Sequence, residues 1–518
     1  MGFFNAALRY TLIVSMGGFI FGFDASVISG VVGFVTSEFN LSTWQQGFVV
    51  SSPTLGAILS FLFVGPLCDA IGRRKVLIGI AALYCVSAIT SALANSFELL
   101  VIARVIGGFA FCSLLVAPMY IAEISRPESR GKMVSINQLN IVLGLSVAYF
   151  ANYFFLQISE SGGAWVEYLM IDQHTWRWML GIEALPAVVF MILLFSIPES
   201  PRWLLLKGRD EEANEVLQKL MPSEEIEEQV AQIKQSVGEK KMSLLVSLRM
   251  LFSPVLKLSL LIGLVVGIAQ QVTGVNAIYF YAATIFEQSG VGTNAAFMQA
   301  IWIGLINIIF TLIAMTFIDK LGRKPLLVMG LAGVIISMSI CAYGFKQATY
   351  ELTPATVAKL SVNVEQQDLQ AIIGVTYDND LDYKEALIEN LGQESYNANQ
   401  AQLIQAAAKM NAVLIMVGIL GFVASFAVSL GPVMWVLFSE IFPNQIRGVA
   451  ISFVGAINSL ASFGVQLVFP WELANLGAAM TFLVYGGFAV IGLVFVVFVM
   501  PETKGKSLEE LEKQLGTN

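Results

Sequence analysis

The chain has 518 residues, of which 56% are hydrophobic and only 13% charged, and its mean hydropathy is +0.74. Soluble domains contain about 45–50% apolar and about 25% charged residues, so the composition excludes an ordinary soluble domain and indicates an integral membrane protein. Four dispersed cysteines and one histidine exclude a disulfide framework and a His/Cys metal centre, and a net charge of −8 argues against nucleic-acid partners. No nucleophile with a base stands out either, so we expect no enzyme, no cofactor and no metal.

Twelve apolar runs have the length of about 20 residues that a membrane-spanning helix needs. The first run contains Asp24 and is not followed by a small-residue cleavage site, so it is predicted to be a span and not a signal peptide. The runs lie approximately at residues 8–31, 45–68, 76–95, 99–122, 134–157, 178–198, 256–282, 296–318, 325–345, 409–437, 449–470 and 477–500.

The distribution of basic residues predicts the orientation of these spans. With both termini in the cytoplasm, 23 of the 29 Lys and Arg residues lie on the inner side, and Arg104 lies within a span. The other five fall on the outer side: Arg177, Lys346, Lys359, Lys384 and Lys409. Cytoplasmic loops of membrane proteins carry an excess of Lys and Arg, so this orientation is favoured.

Two hydrophilic stretches interrupt the spans. Residues 203–250 have apolar residues at helical spacing in 209–218 and 224–235, which predicts short amphipathic cytoplasmic helices. Residues 346–408 carry nine acids and three lysines and form an external insertion, either a folded cap or a disordered spacer. Its acidic segment 377–382 is either a cation site or a solvated loop.

An internal repeat divides the spans into two sets of six. The motif Asp-x-x-Gly-Arg-Arg/Lys begins at Asp69 and again at Asp319, an offset of 250 residues. A Glu followed seven residues later by Arg-Gly begins at Glu123 and again at Glu440, an offset of 317. The difference of 67 locates an insertion between spans nine and ten, where the acidic stretch lies.

A parallel duplication of six spans is the layout of major facilitator transporters. We therefore predict an all-α membrane protein with twelve transmembrane helices in two six-helix halves, residues 1–202 and 251–518, joined by cytoplasmic linker helices in 203–250. The repeated charges are predicted to form ion pairs that gate the inner face, although positive-inside anchoring is an alternative for them. The gating set comprises Asp69, Arg73, Glu123, Arg130, Asp319, Arg323, Glu440 and Arg447.

The motifs together resemble the sugar porters of the major facilitator superfamily, over nearly the whole chain except residues 346–408. The pattern is most similar to bacterial proton-coupled pentose and hexose symporters and more distantly to facilitative glucose transporters. The matching segments are Gly22-Phe23-Asp24, Asp69 to Arg74, Pro198 to Leu204, Gln270-Gln271 to Asn276, Asp319 to Lys324, Gly431-Pro432 to Trp435, and Pro501 to Gly505. The resemblance implies import of a monosaccharide by proton symport through alternating access.

Amide side chains within the spans are the candidate sugar-binding groups. A neutral sugar hydroxyl donates and accepts hydrogen bonds, and amides do both without the desolvation cost of a charge. Trp435 adds a flat apolar face for sugar C–H groups; interhelical packing is the alternative role of the amides. The amides are Gln138, Gln270, Gln271, Asn276, Asn307 and Asn458.

Span seven is predicted to be broken. On a straight helix Gln271 and Asn276 point about 140° apart, so they converge on one ligand only if the helix unwinds, and Gly274 lies between them. In the family this span is discontinuous and its aromatic end closes over the sugar from outside. The matching residues are Tyr279, Phe280 and Tyr281, whose alternative role is that of interfacial aromatics.

Span eleven departs from the family pattern. The family usually has Trp directly after the amide of this span, whereas Asn458 is followed by Ser459. Asn458 itself, where the pentose symporters have Gln, is similar to the hexose carriers. The sequence therefore does not name the sugar.

Asp24 is the candidate proton carrier. A carboxylate within a span is costly unless it is paired, and Arg104 in span four is its predicted partner. If the bundle rocks and the arginine moves away, the buried carboxylate favours its protonated form, which links proton uptake to conformation. Glu183 in span six is a second candidate for this relay.

Two other functions stay open at this stage. In a facilitative uniporter, Asp24 and Arg104 would form a permanent structural pair. A sugar sensor usually has a long cytoplasmic extension, whereas this sequence continues for about eighteen residues after span twelve. We expect a monomer in the bacterial inner membrane, with the lipid bilayer, a small sugar and protons as its partners.

Overall fold

The computed structural model describes residues 2–238, 244–358, 360, 369–443, 445–504 and 506. Twelve of its helical segments are long and apolar enough to cross a membrane, and each coincides with one predicted span, so all twelve spans are confirmed. They are Ala6–Phe39, Thr43–Ile71, Arg73–Ala92, Phe97–Ile124, Glu128–Ser159, Thr175–Leu194, Pro254–Phe280, Thr293–Ile318, Arg323–Lys346, Ala412–Ile441, Arg447–Asn475 and Gly477–Phe498.

The described helices and strands are numbered here in chain order. The helices of the first half and linker are α1 Gly2–Phe39, α2 Thr43–Ile71, α3 Arg73–Ala92, α4 Phe97–Ala110, α5 Ser113–Ile124, α6 Pro127–Ser159, α7 Ala164–Tyr168, α8 Thr175–Gly181, α9 Ala184–Leu194, α10 Pro201–Leu206, α11 Asp210–Leu220, α12 Ser223–Gly238 and α13 Leu244–Leu251. Those that follow are α14 Lys257–Val272, α15 Val275–Phe280, α16 Ala282–Gln288, α17 Thr293–Leu321, α18 Arg323–Lys346, α19 Pro354–Val357, α20 Asp380–Leu391, α21 Gln393–Ala407, α22 Ala412–Val428, α23 Leu430–Ile441, α24 Arg447–Asn475 and α25 Gly477–Phe498. The strands are β1 Thr349–Glu351, β2 Thr376–Tyr377 and β3 Ala408–Lys409, and a 3₁₀ turn, Pro254–Leu256, precedes α14.

Spans four, six, seven and ten each consist of two helices. In span seven, Gly274 has φ of +94°, a left-handed conformation that ends α14 and starts α15, so the break predicted there is confirmed. In span ten, Ser429 has φ of −128° and ψ of −94°, which separates α22 from α23. The sequence indicated the first of these breaks through its glycine but not the second.

The linker forms amphipathic helices, as predicted. α11 and α12 cover the predicted segments, and their apolar faces meet in a small cluster of Leu217, Met221 and Ile226. The linker is fastened to the start of α6 by Arg126, whose guanidinium lies 2.6 Å from the Glu225 carboxylate.

The insertion between spans nine and ten is a folded cap. Its strands form a three-stranded antiparallel sheet in the order β2-β1-β3, and α19, α20 and α21 pack around it. The cap has its own buried core, in which Tyr350 and Tyr383 stack with ring centroids 5.3 Å apart. Because it has this core, the described part of the insertion is a folded cap and not a disordered spacer. In the described residues, no group of three His, Cys, Asp or Glu side chains could hold a metal.

Contacts between residues divide the chain into two compact units, which are described separately. Unit one contains residues 1–26, 52–148 and 177–243. Unit two contains residues 27–51, 149–176 and 244–518. The end of span one, the start of span two and the end of span five therefore belong to unit two.

Candidate functional site

Three of the predicted amides form one hydrogen-bonded cluster in unit two. Gln271 Nε2 donates to Gln270 Oε1 at 3.1 Å and to Asn458 Oδ1 at 3.3 Å. Asn458 Nδ2 donates to the same Gln270 oxygen at 2.9 Å. Each side chain is buried, and each amide acts as donor and acceptor. Such a cluster matches the hydrogen-bonding capacity of a polyhydroxylated solute.

The breaks in spans seven and ten place this cluster. Gln270 Nε2 donates at 3.0 Å to the carbonyl of Leu430, in the first turn of α23 directly after the break. After the turn at Gly274, Asn276 reaches back toward its own span, and its Nδ2 donates to Gln271 Oε1 at 2.9 Å. Gln271 and Asn276 therefore converge, as the sequence required, because the helix does not continue straight between them.

Two polar residues of span eleven join the cluster and were not predicted. Asn276 Nδ2 donates to Ser462 Oγ at 2.6 Å, and Gln466 Nε2 donates to the same hydroxyl at 2.8 Å. Asn458, Ser462 and Gln466 recur every four residues and so share one face of α24. That spacing was a signal available in the sequence.

The other predicted sugar-binding residues stand apart from the cluster. Asn307 is buried in span eight and accepts only from Thr311 Oγ1, at 3.5 Å, among the described residues. Trp435 is 49% exposed and packs edge-on against Phe438. In unit one, Gln138 is exposed on α6, on the side of the helix about 180° from the exposed Val147.

The aromatic residues predicted to gate the outer side lie where span seven ends. Tyr149 of span five donates its hydroxyl to the Tyr279 carbonyl at 2.7 Å. Tyr281 is buried and donates to the Gln466 carbonyl at 2.9 Å, whereas Phe280 is half-buried. The gate segment is thus bonded to span five on one side and to span eleven on the other.

Asp24 and Arg104 form an ion pair in the interior of unit one, as the sequence predicted. Arg104 Nη1 contacts Asp24 Oδ1, and both side chains are at most 2% exposed. Asp24 Oδ2 and Arg104 Nε have no hydrogen-bond partner among the described residues. A Cβ placed on Gly107 would come within 2.9 Å of Asp24 Oδ2, so this glycine makes room for the pair. A buried pair with two unsatisfied atoms is costly to maintain, which is more typical of function than of stability.

Glu183 lies beside this pair. It occupies the turn between α8 and α9 and is 2% exposed, and its Oε1 accepts no hydrogen bond in the described part of the chain. Its carboxylate interacts electrostatically with both Asp24 and Arg104. Unit one thus buries two acids around one arginine.

The end of unit one at the start of α3 holds a charge network around Arg73. Its guanidinium contacts Glu123 at 3.0 Å and Asp69 at 3.2 Å. Glu199 Oε1 accepts the backbone N–H of Arg73 at 2.9 Å, so it caps the N-terminus of α3. Ser200 donates its hydroxyl to Glu123, which ties the Pro-Glu-Ser motif to the same network.

Unit two repeats this network. Arg323 Nη2 lies 2.7 Å from Glu440 Oε1, and Thr503 Oγ1 donates to Glu440 Oε2 at 2.6 Å. Glu502 accepts the backbone N–H groups of Arg323 and Lys324, each at 3.0 Å. Glu199 and Glu502 lie within segments that match the family motifs, but no role was predicted for them, so their capping of α3 and α18 is a finding of the structure.

The remaining gating residues are less closely connected. Arg130 is exposed near the start of α6, and Arg447 Nε donates to the Phe442 carbonyl at 3.2 Å. Neither forms an ion pair with a carboxylate in the described ranges. The side chain of Asp319 lies outside the described residues.

Comparisons with known proteins identify the family of this chain. The profile of the family described as Sugar (and other) transporter matches residues 10–359 and 395–515. The chain belongs to this sugar transporter family. It is therefore a multi-pass membrane transporter, and membership in a transporter family supports the expectation that it is not an enzyme.

Similar proteins of this sugar transporter family are known as sequences and structures. The arabinose-proton symporter of Bacillus subtilis is 34% identical over 516 residues, covering 98% of this chain and 95% of the relative. The D-xylose-proton symporter of Escherichia coli K12 is 33% identical over 536 residues, covering 97% and 94%. The xylose transporter XylE of E. coli in an inward open conformation has a TM-score of 0.74 at 31% identity, covering 97% of this chain and 98% of that chain. A second XylE structure, described as a major facilitator superfamily protein, has a TM-score of 0.69 at 31% identity, covering 99% and 100%. The predicted major facilitator fold is confirmed.

Proposed function

We propose that this protein imports a monosaccharide by proton symport through alternating access. The buried ion pair of Asp24 and Arg104 carries the proposal, because ionisable residues inside a span are costly and typically mark ion or proton pathways. Relatives named as arabinose-proton and xylose-proton symporters support the same assignment.

The sugar binds at the amide cluster. Gln270, Gln271, Asn276 and Asn458 exchange hydrogen bonds with one another, and sugar hydroxyls can replace these bonds one for one. Ser462 and Gln466 extend this cluster along span eleven. Trp435 and Asn307 in unit two, and Gln138 in unit one, are further proposed sugar contacts outside the cluster.

The proton is carried by Asp24. While Arg104 lies against it, the carboxylate is held as the anion; when the pair separates, the unpaired buried acid takes up a proton. Glu183 passes the proton to or from this site, since it lies beside both partners. Protonation and conformation are thereby coupled.

The charges at the inner ends of the helices act as latches. Arg73 with Glu123, and Arg323 with Glu440, stabilise the state that is closed to the cytoplasm, while Tyr279, Phe280 and Tyr281 close the outer side. Asp69, Arg130, Asp319 and Arg447 contribute to the same inner latches. The protein acts as a monomer in the cell membrane with both termini in the cytoplasm.

The deciding experiment records external pH in an unbuffered suspension of proteoliposomes when single pentoses or hexoses are added. Symport predicts alkalinisation with the transported sugar and with no other. Uptake of labelled sugar without a pH change would overturn proton coupling, and absence of any uptake would overturn transport itself.

A further inference from the structure

A cavity of about 730 Å³ lies under the external cap, entirely within unit two. Its walls come from the outer ends of spans one and two, from α16, from α20 and α21 of the cap, and from the end of span eleven. Gate residue Tyr281 is one of its lining residues. The volume is in the range of small-molecule sites, about 300–1,000 Å³.

Part of the cap that lines this cavity lies outside the match to the family profile. Residues 360–394 are not matched, and Asp380, Tyr383 and Lys384 of this segment line the cavity. The amide cluster described above is a separate site, because Gln270, Gln271, Asn276 and Asn458 do not line this cavity.

Amides dominate the polar lining. Gln46, Gln288 and Gln400 are half-buried, line the cavity from three different elements, and make no side-chain hydrogen bond among the described residues. A fourth amide, Asn397, is bonded to Asn40 on the opposite wall, with Nδ2 donating to Oδ1 at 3.0 Å. The cavity therefore offers several free groups that both donate and accept hydrogen bonds.

Two charged side chains of the lining bond the cap to the neighbouring ends of spans eleven and twelve. Asp380 accepts the backbone N–H of Ala478 at 2.8 Å, at the start of α25. Lys384 Nζ donates to the carbonyl of Ala474 at 3.3 Å. These opposite charges lie one helical turn apart, so together they add no net charge to the cavity.

The remaining acid in the lining, Glu287, is largely neutral at mildly acidic pH. Burial raises the pKa of its carboxyl to about 7, although a hydrogen bond with Thr293 acts in the opposite direction. Tyr350, Tyr383 and Tyr396 add aromatic surface against which sugar C–H groups can pack. The lining as a whole favours a neutral polyhydroxylated solute over an ion.

We propose that the cap cavity is an external binding site for neutral sugars, which holds the solute outside the Tyr281 gate before it reaches the amide cluster. The identity of this ligand rests on the proposed function, since the site is assigned to the class of solute that the protein transports. Charged sugar acids are not expected to bind there.

The first test measures labelling at a cysteine placed in the cavity. The four native cysteines are buried, so maleimide labelling of purified Gln400→Cys protein reports on the introduced thiol. D-xylose, L-arabinose and D-glucose are titrated separately, with D-gluconate as the charged probe. The same measurement is made in a Gln271→Ala background, and Gln405→Cys is the control because Gln405 is exposed on α21 but does not line the cavity.

At ten times the dissociation constant, a neutral sugar is expected to slow labelling at position 400 by about tenfold, with or without Gln271. Labelling at position 405 is expected to stay unchanged, as is labelling with gluconate. Absence of protection, or protection that requires Gln271, would overturn the external site. Absence of protection together with normal sugar-driven uptake would overturn the external site alone. Protection without any uptake would overturn the transport proposal alone.

A second measurement covers the case in which cysteine itself weakens the site. Saturation-transfer NMR of the same sugars on Gln271→Ala protein is expected to give a signal that the additional changes Gln46→Ala, Gln288→Ala and Gln400→Ala abolish. A signal that survives these three changes in monodisperse protein would place the sugar elsewhere and overturn the proposal.

Discussion

At the scale of single residues, the substitution Asp24→Asn is expected to have the most specific effect on transport. Asparagine keeps the size of the side chain but cannot ionise, so Asp24→Asn is expected to abolish sugar-driven proton entry while leaving exchange of labelled for unlabelled sugar. Proton uptake and counterflow measured on the same proteoliposomes separate these activities.

The matched control for this change is Asp172→Asn, which neutralises an exposed acid in the loop before span six. It is expected to keep both activities. Intact proton uptake by the Asp24→Asn protein would assign Asp24 to helix packing and leave proton coupling to another group.

Gln271 is expected to contribute to sugar affinity. Its side chain bonds to Gln270, Asn276 and Asn458, so Gln271→Ala leaves buried groups without partners at a cost of about 1–3 kcal/mol. Affinity for the transported sugar should fall by roughly tenfold or more, as measured by calorimetry.

Gln232→Ala, on the exposed linker helix α12, provides the comparison for this affinity measurement and should bind normally. A dissociation constant unchanged in the Gln271→Ala protein would remove the amide cluster from the sugar site.

The chemistry of the individual residues could be predicted, but not all of their partners. A carboxylate in a span demands a cation, which led from Asp24 to Arg104, and the structure pairs them. Ser462 and Gln466 were missed because a polar residue in a membrane helix serves packing as readily as binding. Their contact with Asn276 depends on how span eleven packs against span seven.

At the scale of elements, the break in span seven is expected to be sensitive to one methyl group. Gly274 has φ of +94°, and an added Cβ would lie 2.5 Å from the ring of Tyr485. Gly274→Ala is therefore expected to destabilise the protein by about 1–3 kcal/mol and to impair transport, measured by thermal unfolding and uptake.

Gly464→Ala tests whether this sensitivity belongs to the break. Gly464 lies within α24, and no atom is within 4 Å of an added Cβ. It should leave the unfolding temperature nearly unchanged. Equal effects of both substitutions would argue against strain at Gly274.

The stability of the protein is expected to depend on pH through Glu287, which lies in α16, after the two helices of span seven. Glu287 in α16 has a pKa of about 7 in the folded protein, against 4.5 for an ordinary glutamate, because it is buried. Between these values the folded state binds more protons than the unfolded state, so stability falls as pH rises from about 4.5 to about 7. Glu287→Gln should flatten this part of the profile of unfolding temperature against pH.

An exposed acid of the cap serves as the reference for this pH profile. Glu394→Gln, at the start of α21, should retain the slope of the unmodified protein. An unchanged slope in the Glu287→Gln protein would show that Glu287 does not cause the pH dependence of the unfolding temperature.

The breaks themselves show what could be read from the sequence at this scale. Gly274 indicated the break in span seven, because Gln271 and Asn276 can converge on one ligand only if the helix unwinds between them. The break in span ten at Ser429 was not predicted, although Gly431-Pro432 directly after it is a helix-breaking pair. A break of this kind is stabilised by neighbours, here by the contact of Gln270 with the Leu430 carbonyl.

At the scale of the whole molecule, the inner latches are expected to set the balance between conformations. Arg323→Gln removes the ion-pair partner of Glu440, a pair whose side chains are only 11% and 24% exposed, so the population open to the cytoplasm should rise severalfold. Accessibility labelling of cysteines introduced at the cytoplasmic side of the bundle measures this shift.

Lys75→Gln neutralises an exposed basic residue at the same end of the molecule and should not change that labelling. Equal labelling of the Arg323→Gln and unmodified proteins would reduce Arg323 to a positive-inside anchor.

The sequence by itself determined the membrane class, the twelve spans, their duplication and the position of the insertion. Lipid requires every span to be a long apolar helix, so these features are local and leave a pattern in composition and spacing. The charged motifs are equally visible, because a duplicated chain repeats them at fixed offsets.

Only the tertiary structure decided which groups meet. The capping of α3 and α18 by Glu199 and Glu502, the bonds of Ser462 and Gln466, and the amide-lined cavity under the cap all join residues far apart in the chain. Such contacts depend on helix packing and on chain breaks that neighbouring side chains stabilise, and neither leaves a periodic signal in the sequence.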